Sequence, residues 1–300
     1  MLVSSKQMVI DAQGGKYAVG CFNTSDLEIT KAIIAAATAQ HSPVIISTSP
    51  KAIEYAGAEV LAEIIKKEAF NARVPVALHL DHGLTLALVE NCLDLGYTSI
   101  MFDGSGSDLE HNEILTRQAV EMSHAHRVPC EGELGHLGKA GPSTSLDLAP
   151  SGILGTSRDK SLGVNKNPSK LTDPDDVISF VQKTNVDFLA PSIGSEHGIG
   201  ENETLDISLL KKINAQTGIP LVLHGASGVP DKDIKEAIKY GIAKINIDTD
   251  IRHTFVRSLR DFLDKNPKEK DPREILTKVM DEIQKYVEGK IKLFGSDNKV

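Results

Sequence analysis

"VPVALHLDHG", residues Val74 to Gly83, begins as a buried strand and ends as something else. Val74, Val76, Ala77, Leu78 and Leu80 form an apolar run with strand-favouring residues. His79, Asp81 and His82 are poor strand fillers, yet they crowd its end. The same unit recurs along the chain. "YAVGCFN" (17–23), "PVIISTS" (43–49), "TSIMFDG" (98–104), "VPCEGELG" (128–135), "DFLAPSIG" (187–194), "IPLVLHGAS" (219–227) and "AKINIDT" (243–249) are short apolar runs that close on small or polar residues.

Helical patterns lie between most of these runs. In the segment from Asp26 to Gln40, Ile29, Ile33 and Ala36 or Ala37 share one helix face, with Ser25 or Asp26 as the N-cap. Residues Ile53 to Ala72 carry Ala56, Val60, Leu61, Ile64 and Ile65 near the helical period, which predicts one helix there. Strands separated by single helices imply parallel pairing through right-handed crossovers. Eight such units predict an α/β fold, a closed (β/α)8 TIM barrel in one domain spanning 1–300. An open doubly wound sheet is the alternative that the pattern alone leaves. After Asp261 the chain reads as a charged tail with a helix over Pro272 to Glu288. The connection from His136 to Pro174 shows no helical pattern. A connection of that length is expected to be an active-site loop or a disordered insertion.

Composition narrows the partners. The formal net charge is −8 with no long basic run, which disfavours nucleic acid and anionic membranes as partners. No apolar run reaches the ~20 residues needed to span a bilayer, and the first residues lack the pattern of a signal peptide. The three cysteines, Cys21, Cys92 and Cys130, are unpaired in spacing and fit a reducing compartment. The expectation is a soluble, cytoplasmic protein.

A barrel places its chemistry at the C-terminal ends of its strands. Ser49 ends the second run, Asp81 and His82 the third and Asp103 the fourth, while Glu131 and Glu133 lie in the fifth. His197 follows the sixth, His224 ends the seventh, and Asn246 and Asp248 end the eighth. Taken singly, a strand-end Asp or Ser is ordinarily a turn or cap residue, and a lone histidine a satisfied hydrogen-bonding group. Three histidines after three strands, with carboxylates between them, fit a catalytic zinc site with an open fourth position. His82, His197 and His224, each followed by glycine, are the candidate ligands, and His79 lies one pleat deeper as a supporting residue. Strand alternation turns His82 away from Asp81, so a shared site requires the strand to bend between them. "HGASG" (224–228) with "NIDT" (246–249) suits a backbone cradle for phosphate at the seventh and eighth strands.

"HLDHG", "EGELG", "IGSEHG", "LVLHGASG", "KINIDTDIR" and the terminal "LFGSDNKV" together resemble the class II, zinc-dependent fructose-bisphosphate and tagatose-bisphosphate aldolases. The resemblance runs from Phe22 to the C-terminus. It implies zinc held by His82, His197 and His224, and Asp81 as the catalytic acid/base. It further implies that Glu133 and Asp103 are carboxylates beside the metal, Glu133 able to hold an alternative or second divalent ion. Ser49, Gly198, Gly225, Ala226, Ser227, Asn246, Ile247, Asp248 and Thr249 would meet the substrate, with a monovalent cation near its phosphate left open. Arg273, in "DPRE", would be lent to a neighbouring subunit's distal phosphate, which implies a homodimer or homotetramer.

The implied reaction is cleavage of a ketose 1,6-bisphosphate, fructose-bisphosphate first, to dihydroxyacetone phosphate and glyceraldehyde 3-phosphate. Such cleavage leaves charge beside a carbonyl, and without a Schiff base an electrophile such as zinc must take it up. Three departures bear on the aldehyde half. "HLGKAGPSTSLDLAPSGILG" (136–155) replaces a glycine pair and acidic cluster, "HGIGENE" (197–203) lacks a lysine, and "DGSGSD" (103–108) lacks bulkier residues. A tagatose-bisphosphate or other ketose-phosphate aldolase, a metal-dependent barrel hydrolase, and a barrel that binds sugar phosphate without turnover are the alternatives.

Overall fold

The apolar runs fold as strands, and the chain crosses between them through helices. The computed structural model describes residues 1–135, 171–195, 198 and 204–300. The first half of the chain runs α1 (Ser5–Gly15), β1 (Val19–Asn23), α2 (Leu27–Ala39), β2 (Val44–Thr48), α3 (Pro50–Ala56), α4 (Ala58–Asn71), β3 (Val76–Gly83), α5 (Leu86–Asp94), β4 (Ser99–Phe102), α6 (Leu109–Ala125) and β5 (Cys130–Leu134). It continues with α7 (Pro174–Thr184), β6 (Phe188–Pro191), α8 (Ile207–Thr217), β7 (Leu221–Leu223), α9 (Asp231–Lys239), β8 (Ile242–Ile247), α10 (Thr249–Lys265) and α11 (Pro272–Phe294). All neighbouring strands pair in parallel, and β1 pairs with β8, so the sheet closes in the order β1 to β8. This is the (β/α)8 barrel, and closure excludes the open sheet.

Local chemistry sets the element ends. Asp26 accepts the Ile29 N–H at 2.8 Å and caps α2, while Asp108 and Asp206 cap α6 and α8 in the same way. The helix expected over Ile53 to Ala72 is two helices. Gly57, at φ 86°, breaks it into α3 and α4, and α3 starts upstream at Pro50 with Ser49 as its cap. Glycine reaches positive φ without the Cβ clash that would keep another residue helical.

The C-terminal region is not a loose tail. Asp250 at the start of α10 accepts from the Tyr286 hydroxyl late in α11, so the two helices run antiparallel. α11 continues six residues past the expected Glu288, to Phe294, whose carbonyl accepts the Ala18 N–H at 3.0 Å beside β1. Val279, Ile283, Val287, Ile291 and Phe294 are buried along one stripe, and α11 packs on α2. At about 1.5–3 kcal/mol per fully buried apolar side chain, that stripe makes α11 part of the barrel's outer wall.

The barrel interior is layered. At its base Val19, Cys21, Ile45, Ala77, Phe188 and Val222 form an apolar cluster, and Met8, Val9 and Ala12 of α1 close it from below. Above lies a polar layer of buried His79, Ser99, Glu131 and Lys244. The strand ends form the top. The connection after β5, expected to be structureless from His136, lies outside the described residues as far as Lys170.

Asp187, just before β6, ties the base together. Its carboxylate accepts from Lys6 of α1 at 2.7 Å, His124 of α6 at 2.8 Å and the Cys130 N–H at 2.9 Å. Burial would raise its pKa, but these three donors outweigh burial and hold it below the ordinary carboxyl value. A depressed folded pKa adds stability above the unfolded value of ~3.9, which is lost as pH falls through the lower folded value. Asp187→Asn is expected to cost roughly 1–2 kcal/mol at neutral pH. In melting curves taken against pH, its gap to wild type should close in acid.

Candidate active site

β3 does not alternate to its end. Leu80 pairs with Ile100 and Gly83 with Phe102, so β3 advances three residues while β4 advances two. His82 takes up the extra residue at φ 52°, in the left-handed region. A bulge of this kind re-aims a side chain, and here it turns His82 back toward Asp81. The bend that a shared site demands is therefore present. Gly83 permits it, because a Cβ there would meet Met101 O and Leu80 Cδ2, each at 2.8 Å. Its carbonyl accepts the Asp103 N–H at 3.0 Å, coupling the bend to the next strand. The glycine in "DHG" thus serves the close approach of two strands.

At the top of the barrel, Asp81 Oδ1 lies 3.8 Å from His82 Nε2 and 4.0 Å from His224 Nδ1. The two imidazole rings stand edge to face with centroids 4.7 Å apart. Asn246 Nδ2 donates to Asp81 Oδ1 at 2.9 Å, and Asn23 Nδ2 donates to Asp81 Oδ2 at 2.7 Å. Ser47 Oγ donates to Asn23 Oδ1 at 2.8 Å and so orients that amide. Burial would raise the Asp81 pKa, but His82, His224, His79 and Lys244 outweigh it and hold the carboxyl well below the usual range. Asp81 is thus ionised at neutral pH, with an amide donor on each oxygen.

A second set shares His82. Its Nδ1 lies 2.9 Å from Asp103 Oδ2 and 3.6 Å from Glu133 Oε2, and Ser105 Oγ donates to Asp103 Oδ1 at 2.7 Å and Glu133 Oε1 at 3.1 Å. Burial works against the His82 imidazolium, but Asp81, Asp103 and Glu133 push its pKa up to about 10. A site that favours a cation on the ring also favours a divalent ion in its place. Among the described residues, two groups offer ligand atoms within 4.8 Å of one another: Asp81, His82 and His224, and His82, Asp103 and Glu133. Both have the nitrogen and oxygen donors that suit a zinc-type ion.

Similarity to known proteins agrees with this geometry. The family model for class II fructose-bisphosphate aldolase matches residues 3–299. The chain belongs to the class II fructose-bisphosphate aldolases. It is 39% identical over 302 residues to the fructose-bisphosphate aldolase of Geobacillus stearothermophilus, covering 99% of this chain and 98% of that protein. It is 37% identical over 302 residues to a Staphylococcus aureus (strain Mu50) fructose-bisphosphate aldolase, covering 99% of both. The crystal structure of the YdjI aldolase from Escherichia coli K12 superposes with a TM-score of 0.84 at 32% identity, covering 100% of this chain and 99% of that one. The protein is therefore an aldolase, a carbon–carbon lyase of a metal-dependent family acting on sugar phosphate.

The structure brings Asp81, His82, His224, Asp103, Glu133 and Asn246 together. Gly225, at φ 65°, opens a 3-10 turn containing Ala226 and Ser227, beside the β8 end. Asp248 and Thr249 start α10, where Arg252 meets Asp248 at 2.9 Å and Thr249 Oγ1 at 3.3 Å. Ile247 has its side chain in the core, which leaves only its backbone for a ligand. Ser49 stands at the β2 end as the α3 cap. Gly198 has φ 115°, and His197 lies outside the described residues. Arg273 is not brought to this site. It is exposed, pairs with Asp271 at 2.7 Å, and lies thirteen residues, about 20 Å of helix, from Tyr286.

Asn23 and Lys244 were not among the candidates drawn from the sequence, and Glu131 was noted there only as a fifth-strand carboxylate without a role. Their signal was strand alternation: Lys244 and Glu131 stand two residues before Asn246 and Glu133, on the same faces. Gly83→Ala should strain the bend and displace Asp103, at a cost on the order of 1–3 kcal/mol. A lower melting temperature together with weaker divalent-metal binding in calorimetry is the expected result; unchanged values for both would show that the strands part freely.

Proposed function

We propose that this aldolase cleaves fructose 1,6-bisphosphate reversibly to dihydroxyacetone phosphate and glyceraldehyde 3-phosphate, with Asp81 as acid/base and zinc as the metal. The approach of Asp81 to within about 4 Å of both imidazoles carries this reading. His82 Nε2, His224 Nδ1 and, from the β6 loop, His197 would hold the ion. Ser195 supports the third ligand, since its Oγ donates to the His224 carbonyl at 2.7 Å, and two residues of chain span at most about 7 Å. A zinc ion held there would supply a Lewis acid for the ketose carbonyl.

The chain's own residues do the rest. Ionised Asp81 accepts the C4 hydroxyl proton during cleavage and returns a proton in condensation. Asn23 and Asn246 fix its two oxygens and keep them from rotating away. The 225–227 turn and the first turn of α10, with Ser49 and Gly198, receive the ketose phosphate. Asp103 and Glu133 flank His82 and would hold the ion in an alternative position. Neutral imidazole has a single lone-pair nitrogen, so either group can use His82 at one time. Arg273 would act on the distal phosphate of a partner subunit in a homodimer or homotetramer working in the cytoplasm, each chain contributing its full 1–300 barrel.

Retro-aldol turnover on fructose and tagatose bisphosphates tests the reading. Chelation should abolish cleavage and zinc restore it. Asp81→Asn should lower kcat by about 10²–10⁴ with metal content retained. Cleavage that survives both treatments would overturn the assignment. For Arg273, mixing Asp81→Asn and Arg273→Ala subunits should recover activity above either parent, because the mixed assembly holds one complete site.

A further inference from the structure

The polar layer beneath the site contains a lysine that the reaction does not use. Lys244 Nζ donates to Glu131 Oε2 at 2.8 Å and to His79 Nε2 at 3.3 Å. Glu131 Oε1 lies 2.7 Å from His224 Nε2. All four residues are buried. Their hydrogen-bonding capacities leave little freedom. An ammonium has only protons to offer, so the His79 nitrogen facing it is bare and His79 Nδ1–H turns to Ser99 Oγ at 2.8 Å. A carboxylate has only lone pairs, so His224 carries its proton on Nε2. Its Nδ1 is then the lone-pair nitrogen, the atom directed at Asp81. Asn246 leans the same way through a longer contact. Its Nδ2 is fixed as a donor by Asp81 Oδ1 at 2.9 Å and lies 3.3 Å from His224 Nδ1.

We propose that Glu131 and Lys244 are positioning residues that select the His224 tautomer and thereby set the metal affinity of the site. This rests on His224 being a metal ligand. A ligating histidine ordinarily donates its other N–H to a carboxylate or carbonyl, and loss of that partner costs about 10–100-fold in metal affinity. Here the partner is a carboxylate buried in the barrel interior. Lys244 supplies the counter-charge a buried carboxylate needs and holds its second oxygen.

The pair makes an ordering that a merely structural ion pair does not. In Glu131→Gln, Lys244 claims the single amide oxygen and the amide N–H faces His224 Nε2. That reverses the tautomer and places a proton on the metal-facing nitrogen. In the double variant Glu131→Gln/Lys244→Met nothing fixes the amide, so both tautomers coexist.

The test is ¹⁵N NMR of histidine-labelled, metal-free protein at neutral pH, with His224 assigned by its loss in His224→Asn, alongside zinc titration of the same samples. Wild type should show Nε2–H, Glu131→Gln should show Nδ1–H, and the double variant a mixture. Zinc affinity should fall about 10–100-fold in Glu131→Gln and less in the double variant. The charge-neutral double variant carries the test if the single variant does not fold: one unmixed tautomer with wild-type affinity there would overturn the proposal. Retention of Nε2–H in Glu131→Gln, with zinc binding intact, would overturn it alone. A wild-type protein that binds no zinc would remove the metal reading and this proposal with it, and would be recognised by the missing wild-type isotherm.

Discussion

The site depends on one backbone event, the left-handed turn at His82. Without it, strand geometry sends Asp81 into the barrel and His82 into the helical layer, because successive side chains alternate. With it, two residues adjacent in sequence face one point. A non-glycine residue in that region costs of order 1 kcal/mol or more. The bond from His82 to Asp103 at 2.9 Å and the tight β3–β4 contact at Gly83 offset that strain. The strain sits at the centre of the chemistry, where the surrounding barrel over-determines the backbone.

Closure of the barrel supplies what the bend cannot. His224, Asn246 and Asn23 come from strands remote from β3 in sequence, and they converge only because the parallel sheet rolls until β8 meets β1. The interior then sorts by depth. Apolar residues fill the base under α1, an ionic layer with Glu131 and Lys244 occupies the middle, and the metal-type donors sit at the mouth. Each layer fixes the one above: the lysine holds the glutamate, the glutamate holds His224, and the amides of Asn23 and Asn246 hold Asp81. Residues one pleat below a site thus bear on its chemistry without touching a substrate.

Electrostatics explains why such a cluster tolerates so much charge. Asp81, Asp103 and Glu133 surround His82 and raise its pKa to about 10, while burial, with the charge on His82 beside it, holds the His224 pKa below its ordinary value against the pull of Glu131. Two histidines 4.7 Å apart are therefore pushed in opposite directions. The same negative field that protonates one ring would attract a divalent cation between them, as expected of a metal-dependent aldolase.

Much of this was legible in the chain. Eight apolar runs closing on polar residues predicted the barrel, and "LDHG", "LHGASG" and "NIDT" marked the strand ends that carry the site, because strand polarity puts those residues at one mouth. The helix break at Gly57 was missed, since apolar spacing continues smoothly across it while a single φ does not appear in periodicity. The region after Asp261 read as a charged tail with one helix, because exposed charges outnumber the stripe of five buried side chains that seats α11 on the barrel. Sequence alone determined the secondary structure and the inventory of reactive groups, which are local consequences of side-chain size and polarity. Only the tertiary structure decided that His82 turns inward, that Lys244 pairs with Glu131, and that Arg273 stands far from the site of its own chain. Those depend on where distant parts of the chain meet, as Lys244 and Glu131 do across 113 positions, which no local pattern encodes.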